Sequence, residues 1–209
     1  MKNYKKILVL AVAALLLVAV SVGGTLAWLT DSTEKVENTF TKTDLKIILD
    51  ESEDKWEKAL LPGATYQKDP YVEVAKDSVA AWVFVEIVET NNKIGNTEEQ
   101  KVSFTPANGW VKVGAGDHEG GTVYLYKTKA LTNSDGKVYV LSGEKNGQVT
   151  VSGNVTEADM AALPTLTFYA YAVQSENLTI NNVKIDAANI ENNMAAVWAL
   201  HASTPVANP

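Results

Sequence analysis

Short apolar segments alternate with turn-forming clusters along most of this chain. From residue 71 onward, runs of β-branched and aromatic residues are separated by Gly- and Asn-rich clusters at 107–109, 114–121, 133–136 and 143–147. Regularly spaced short strands with turn chemistry between them are typical of antiparallel all-β domains. The pattern therefore predicts a mainly β fold, specifically an antiparallel β-sandwich of the jelly-roll type.

Individual strands are predicted from the alternation of apolar and polar residues. Leu45, Ile47 and Leu49 alternate with polar neighbours, which indicates a half-buried strand over 44–50. The run 79–88 is almost continuously apolar, so we expect it at the centre of a sheet with both faces covered. Other strands are predicted at 71–74, 102–104, 110–113, 122–126, 137–141, 148–151 and 165–173.

Helical signals are confined to two places. Ile190, Met194, Val197 and Trp198 recur at helical spacing, which predicts an amphipathic helix over 186–199 that packs on the sandwich. The segment 156–159 has the pattern of a capping box that opens one or two helical turns.

Two further segments are predicted to lie outside regular strands and helices. The segment 133–136 is expected to form a hairpin turn rather than a calcium loop, because the later acidic ligands are missing. Residues 203–209 are expected to form a disordered tail, which leaves a folded domain at 44–202.

The first part of the chain has the composition of an export signal. Lys2, Lys5 and Lys6 precede the apolar run 7–22, and no acidic residue occurs before Asp31. A helix over that run would span about 24 Å, which is less than the ~30 Å of a bilayer core. The segment therefore fits a signal peptide better than a membrane-spanning anchor.

The end of this segment resembles a peptidase junction. Gly23 and Gly24 interrupt the helix, and the small residues Thr25 and Ala27 occupy the positions that a signal peptidase recognises. We expect cleavage between Ala27 and Trp28, which makes 1–27 a signal peptide of a secreted, extracellular-matrix or cell-surface protein. The alternative is an uncleaved anchor.

Composition limits the partners of the mature chain. Loss of three lysines and no acid with residues 1–27 changes the formal net charge from −7 to −10, and the chain contains no Arg. Phosphate backbones need clustered positive charge, and Arg is the favoured residue for it, so nucleic acid is not an expected partner. With no Cys, the fold must be stable without disulfides, and cysteine catalysis is excluded.

Several segments in order resemble a known family. The junction Gly-Gly-Thr-Leu-Ala is followed by Trp-Leu-Thr-Asp-Ser, and the segment 38–40 leads into the segment 45–51. Further on come Leu-Pro-Gly at 61–63, Lys-Asp-Pro at 68–70 and the aromatic segment 168–174. This order is similar to that of the TasA, CalY and camelysin family of Gram-positive biofilm-matrix and spore-associated proteins, whose signal region is cut by a SipW-type peptidase. The resemblance covers Met1 to about Val88 and weakens beyond it.

The resemblance implies a jelly-roll subunit that self-associates into extracellular fibres. In such fibres the N-terminal segment of one subunit completes a sheet of the next, which is β-augmentation. That implies a donor arm at 28–43, with Trp28, Leu29, Val36 and Phe40 as its apolar residues. Val36 and Phe40 would share one face of a strand. Implied partners are further copies of the chain, the SipW-type peptidase, and a matrix or cell-wall component. Pairing of the arm within its own subunit is the alternative.

Catalysis is not expected, although the camelysin branch has been catalogued as metallopeptidase. A zincin places two His one helical turn apart with a Glu between them, and the chain has only His118 and His201 and no such motif. His118 is expected in a solvated Gly-rich loop. A site that joined it to Asp117, Glu119 and His201 has no support in the spacing. No metal, cofactor or catalytic residue is therefore assigned.

Two other functions remain open from the sequence. A secreted carbohydrate- or surface-binding β-sandwich module would use exposed aromatic residues, for which Trp110, Tyr124 and Tyr126 are the candidates. Core or cross-strand packing explains the same residues more simply. The metallopeptidase is the third possibility.

Overall fold

The computed structural model describes residues 45–52 and 58–201. The expected signal peptide with its Ala27–Trp28 cleavage site, the arm residues Leu29, Val36 and Phe40, and the tail 203–209 lie outside this part. Among the residues described, no helix is both long enough and apolar enough to cross a membrane.

The described part of the chain is mainly β and contains one α-helix. Its strands, in chain order, are β1 (Ile47–Asp50), β2 (Thr65–Gln67), β3 (Tyr71–Val74), β4 (Ala81–Thr90), β5 (Val102–Phe104), β6 (Trp110–Ala115), β7 (Gly121–Tyr126), β8 (Val138–Tyr139), β9 (Gln148–Val151), β10 (Thr165–Gln174), β11 (Thr179–Ile180) and β12 (Val183–Lys184). The helix α1 spans Ile190–Trp198, and short 3₁₀ helices occupy Asn133–Asp135, Glu144–Asn146 and Glu157–Ala161.

The strands form antiparallel sheets in an arrangement consistent with a β-sandwich. A four-stranded sheet has the order β10-β4-β7-β6, and two three-stranded sheets have the orders β1-β3-β8 and β2-β9-β5. Strands β11 and β12 form a separate hairpin. Every strand pair in these sheets is antiparallel.

Both faces of the four-stranded sheet are covered, and β4 lies inside it. On one face, Val83, Val85 and Ile87 pack in a core with apolar residues of the two three-stranded sheets. On the other face, Trp82 and Phe84 pack with α1 and the segment before it. The prediction of a central strand covered on both sides is confirmed, because alternate residues of β4 supply two different cores.

Strand positions agree with the sequence pattern in most places. The observed bounds match the predicted ones at 71–74, 102–104 and 148–151, and differ by a few residues elsewhere. The short strands β2, β11 and β12 were not predicted. The expected turn at 133–136 is instead a 3₁₀ helix, in which the N–H and hydroxyl of Thr132 donate to Asp135 at 2.8 and 2.9 Å.

The helical predictions hold with adjusted bounds. The capping box is present, since the N–H and hydroxyl of Thr156 donate to Asp159 at 2.9 and 2.7 Å ahead of the third 3₁₀ helix, Glu157–Ala161. The C-terminal helix begins later than predicted because the carboxylate of Asp186 accepts the N–H groups of Ala188 and Asn189 and holds them in a turn.

Candidate functional site

Strand β10 forms one edge of the four-stranded sheet. Strand β10 pairs with β4 and with no other strand in the part of the chain that the structure describes. The N–H of Ser175 donates to Ala80 O at 3.0 Å, which makes the neighbouring pair Gln174–Ala81 a non-hydrogen-bonded one. By the alternation of antiparallel ladders, Leu166 and Phe168 also direct their N–H and C=O groups away from β4.

The side chains of Leu166 and Phe168 border a groove between β10 and the two smaller sheets. We call it the β10 groove. It comprises two neighbouring cavities of about 740 and 340 Å³, which share Glu51, Lys68 and Leu166. The remaining walls mix apolar and polar side chains. The apolar ones are Leu49, Leu60, Tyr66, Pro70, Val102, Val149, Val151, Leu163 and Phe168, and the polar ones include Asp50, Lys58, Thr165 and Thr167. The β10 edge therefore lies beside a groove whose walls are both apolar and polar.

The β10 groove contains one ion pair. The buried ammonium of Lys68 pairs with Glu51 and lies 5.4 Å from the ring centroid of Phe168. At the rim, Leu163 is 59% exposed.

A second feature is an acid buried on the opposite face of the same sheet. Glu86 lies in β4, two residues beyond Phe84, and is 0% exposed. A buried carboxylate is unfavourable unless it is hydrogen-bonded. Glu86 accepts from the N–H of His118 at 2.8 Å and the hydroxyl of Tyr171 at 2.9 Å, and its Oε2 lies 2.9 Å from His118 Nδ1.

The Gly-rich loop 116–121 is shaped around this carboxylate. A β-carbon on Gly116 or on Gly121 would lie 2.0 Å from Oε1 of Glu86. Only glycine leaves room there, so the composition of the loop follows from the acid beneath it. One charged residue within an apolar run and a Gly-rich cluster were the two sequence signals for this site, but nothing local linked them.

His118 lies beside this acid and His201 lies beside Asp117, which corrects the expectation of a solvated His118. Its ring stacks on Tyr169 with centroids 3.9 Å apart, and the side chain is partly buried. Nε2 of His201 lies 2.8 Å from Asp117 Oδ2, and its ring stacks on Trp198 at 3.7 Å. The structure therefore brings together Asp117, His118 and His201.

Glu119, by contrast, makes no hydrogen bond or ion pair within residues 45–52 and 58–201. The structural contacts of the histidines are long-range in sequence, which is why spacing gave no indication of them.

These side chains form two carboxylate–imidazole pairs rather than a metal centre. Within the described ranges, no three or more His, Asp or Glu side chains are arranged to hold a metal ion. The burial of Tyr171, and then its hydrogen bond to Glu86, raise the pKa of its hydroxyl far above the ordinary value. Tyr171 therefore remains a hydrogen-bond donor.

The aromatic residues considered for surface binding are packing residues. Trp110 is 7% exposed, its Nε1 donates to Tyr139 O at 2.9 Å, and its ring meets that of Tyr126 edge-on at 5.5 Å. Tyr124 packs against the first core, and burial followed by the nearby Glu89 raises its pKa. These three rings form no exposed platform.

Another cavity, of about 820 Å³, lies beside Glu89 at the end of β4. The amides of Asn92 and Gln100 both donate to Glu89 at 2.6 Å, so these three polar groups of the cavity wall are paired with one another.

No protein-family model, no curated protein and no solved structure matches the chain.

Proposed function

We propose that the chain is a secreted structural subunit that polymerises through the β10 edge. The observation that supports this most directly is the composition of that strand. Its ten residues, Thr-Leu-Thr-Phe-Tyr-Ala-Tyr-Ala-Val-Gln, include no charge and no proline. Edge strands of monomeric proteins are usually protected by such residues, because an open edge is a template for another strand.

The donor in this proposal is the arm 28–43 of a second copy. Val36 and Phe40 would face the same side of an extended arm and enter the β10 groove beside Leu166 and Phe168. The arm's backbone would bond to the outward N–H and C=O groups of those two residues, as in β-augmentation. The completed sandwich is proposed to have jelly-roll connectivity.

Processing would control when this assembly begins. Cleavage between Ala27 and Trp28 by a SipW-type peptidase would release the arm outside the cell. The fibres would then lie in the extracellular matrix or at the cell surface, with a matrix or cell-wall component as a further partner. The resemblance of the leader and of 38–88 to the TasA, CalY and camelysin family supports this assignment.

Two proline substitutions in β10 distinguish the backbone groups that point away from β4 from those that bond to β4. Leu166→Pro removes an N–H that points away from β4, so the fold should persist and fibres should be lost. Thr167→Pro removes an N–H that bonds to β4, so it should destabilise the subunit itself. Leu166→Ala separates the two contributions of this residue, because it keeps the outward N–H but shortens a side chain that lines the groove, so polymerisation should weaken without being lost. Negative-stain microscopy and circular dichroism give the two readouts.

Deletion of residues 28–40 tests the donor. This variant keeps the β10 edge, whereas Leu166→Pro keeps the arm, so a mixture of the two should stop at complexes of two subunits. Fibres formed by the deletion variant alone would refute strand donation. A monomer that sediments with cell-wall polysaccharide would support the binding module instead, and chelator-sensitive cleavage of casein would support the peptidase.

A further inference from the structure

The last residue that the structure describes, His201, has an unusual pair of neighbours. Its Nδ1 contacts the carbonyl oxygen of Trp198, and its Nε2 lies 2.8 Å from Oδ2 of Asp117. Both partners are acceptors. A neutral imidazole offers one donor and one acceptor, so it satisfies only one of them, whereas the imidazolium form donates to both. Both contacts can therefore be hydrogen bonds at the same time only in the imidazolium form.

This residue joins two elements that cover Glu86. Its backbone N–H donates to Trp198 O at 3.0 Å and continues the last turn of α1, and its side chain reaches Asp117 in loop 116–121. Trp198 in turn packs 5.4 Å from Phe84 and 4.9 Å from Tyr171, measured between ring centroids. The end of the helix, the loop and the sheet therefore meet at one imidazole.

Groups from three neighbouring elements and from α1 itself surround this imidazole. Asp117 faces it from loop 116–121, and the ring of Tyr171 faces it from β10 at 5.0 Å. Behind Tyr171 lies the carboxylate of Glu86 from β4, which also contacts His118. On α1 itself, Glu191 pairs with Lys127 in the first turn of the helix, at the end opposite His201.

We propose that His201 is a proton-controlled latch between the C-terminal end of α1 and loop 116–121. With both nitrogens protonated, it bonds to Trp198 O and Asp117 at the same time. When one proton leaves as pH rises, one of these acceptors faces a lone pair, and the helix end separates from the loop. The latch depends on contacts within one subunit and is independent of strand donation.

His118 is the matched comparison, because its contacts do not require a second proton. Nδ1 donates to Glu86, and Nε2 has no hydrogen-bond partner in residues 45–52 and 58–201. A neutral ring protonated on Nδ1 satisfies this arrangement. The latch therefore belongs to His201 and not to both histidines.

The test is hydrogen exchange together with nitrogen NMR of the imidazole rings, at about pH 5 and about pH 9, which bracket the range in which histidines change charge. The amides of Leu200 and His201, which donate to Val197 O and Trp198 O, report on the helix end. After correction for intrinsic exchange, their protection should fall roughly tenfold at the higher pH, the size expected for losing one charge-assisted hydrogen bond. At the lower pH, both ring nitrogens of His201 should be protonated.

Two variants make the test specific. Asp117→Asn supplies an amide that can donate to a neutral ring, so the protection should become nearly independent of pH. His118→Asn keeps a donor toward Glu86 and should retain the wild-type dependence. The proposal is overturned if wild-type protection is equal at both pH values, if His201 has an unprotonated ring nitrogen at the lower pH, or if His118→Asn alone abolishes the dependence.

Discussion

The hydroxyl of Tyr171 donates to the carboxylate of Glu86 at 2.9 Å, across the neighbouring strands β10 and β4. Both groups are buried on a face of the sheet that is otherwise apolar. Because the same carboxylate accepts from His118, the pair also fixes the position of loop 116–121. The loop, the helix end and the sheet are thus organised around one acid.

Removing the hydroxyl of Tyr171 should destabilise the fold. Tyr171→Phe leaves a buried carboxylate with one donor fewer, and hydrogen bonds to charged groups contribute about 1.5–3 kcal/mol. We expect a loss of that size in the free energy of unfolding from urea titration. Tyr169→Phe is the control, since its hydroxyl makes no hydrogen bond in the described part of the chain. Equal losses in the two variants would contradict this role for the pair.

The raised pKa of Tyr171 predicts a loss of stability in alkali. In the unfolded chain the hydroxyl ionises near its ordinary pKa of ~10, whereas in the folded protein burial and Glu86 keep it protonated. The folded state then binds more protons, so its stability is complete below pH ~10 and declines as pH rises beyond that value. Unfolding titrations across this range should give a steeper decline for the wild type than for Tyr171→Phe. Parallel curves would refute the assignment.

The close packing of the glycine loop against Glu86 can be tested by replacing a glycine with alanine. Gly121→Ala places a methyl group against Oε1 and the carbonyl of His118, so we expect a destabilisation of about 1–3 kcal/mol, typical of overpacking. Gly114→Ala is the matched control, since a β-carbon there meets nothing within 4 Å. Thermal unfolding of both variants measures the difference. A Gly121→Ala protein as stable as the control would mean that the loop can move away from the acid at little cost.

The sequence predicted most of the sheet but little of the buried network. Strand β4 was recognisable because its apolar run is long, and α1 because its apolar residues recur at helical spacing. Glu86, His118 and His201 could not be joined in advance, because they are brought together by antiparallel pairing and helix docking between distant segments. Local periodicity contains no information on such contacts. The β10 groove could not be predicted either, because locating it requires the order of the strands in the sheets.

Lys101 is a buried cation that closes the 3₁₀ turn Glu157–Ala161. Its ammonium donates to the carbonyl oxygens of Asp159 at 2.9 Å and of Ala162 at 2.7 Å. Lys101→Met keeps the length of the side chain and removes both donors. We expect a loss of about 1–3 kcal/mol in the free energy of unfolding, because those carbonyls lose their partners.

Exchange measurements locate the effect of Lys101→Met. Faster amide exchange should appear in 157–162, where the carbonyls lie, ahead of any change in β4. Lys112→Met, at an exposed position of β6, should alter neither quantity. If the two variants lose equal stability, the contribution of Lys101 comes from its hydrocarbon chain or its net charge and not from the two hydrogen bonds. Lys112→Met makes that distinction possible, because it removes the same charge as Lys101→Met without removing a hydrogen bond to a buried carbonyl.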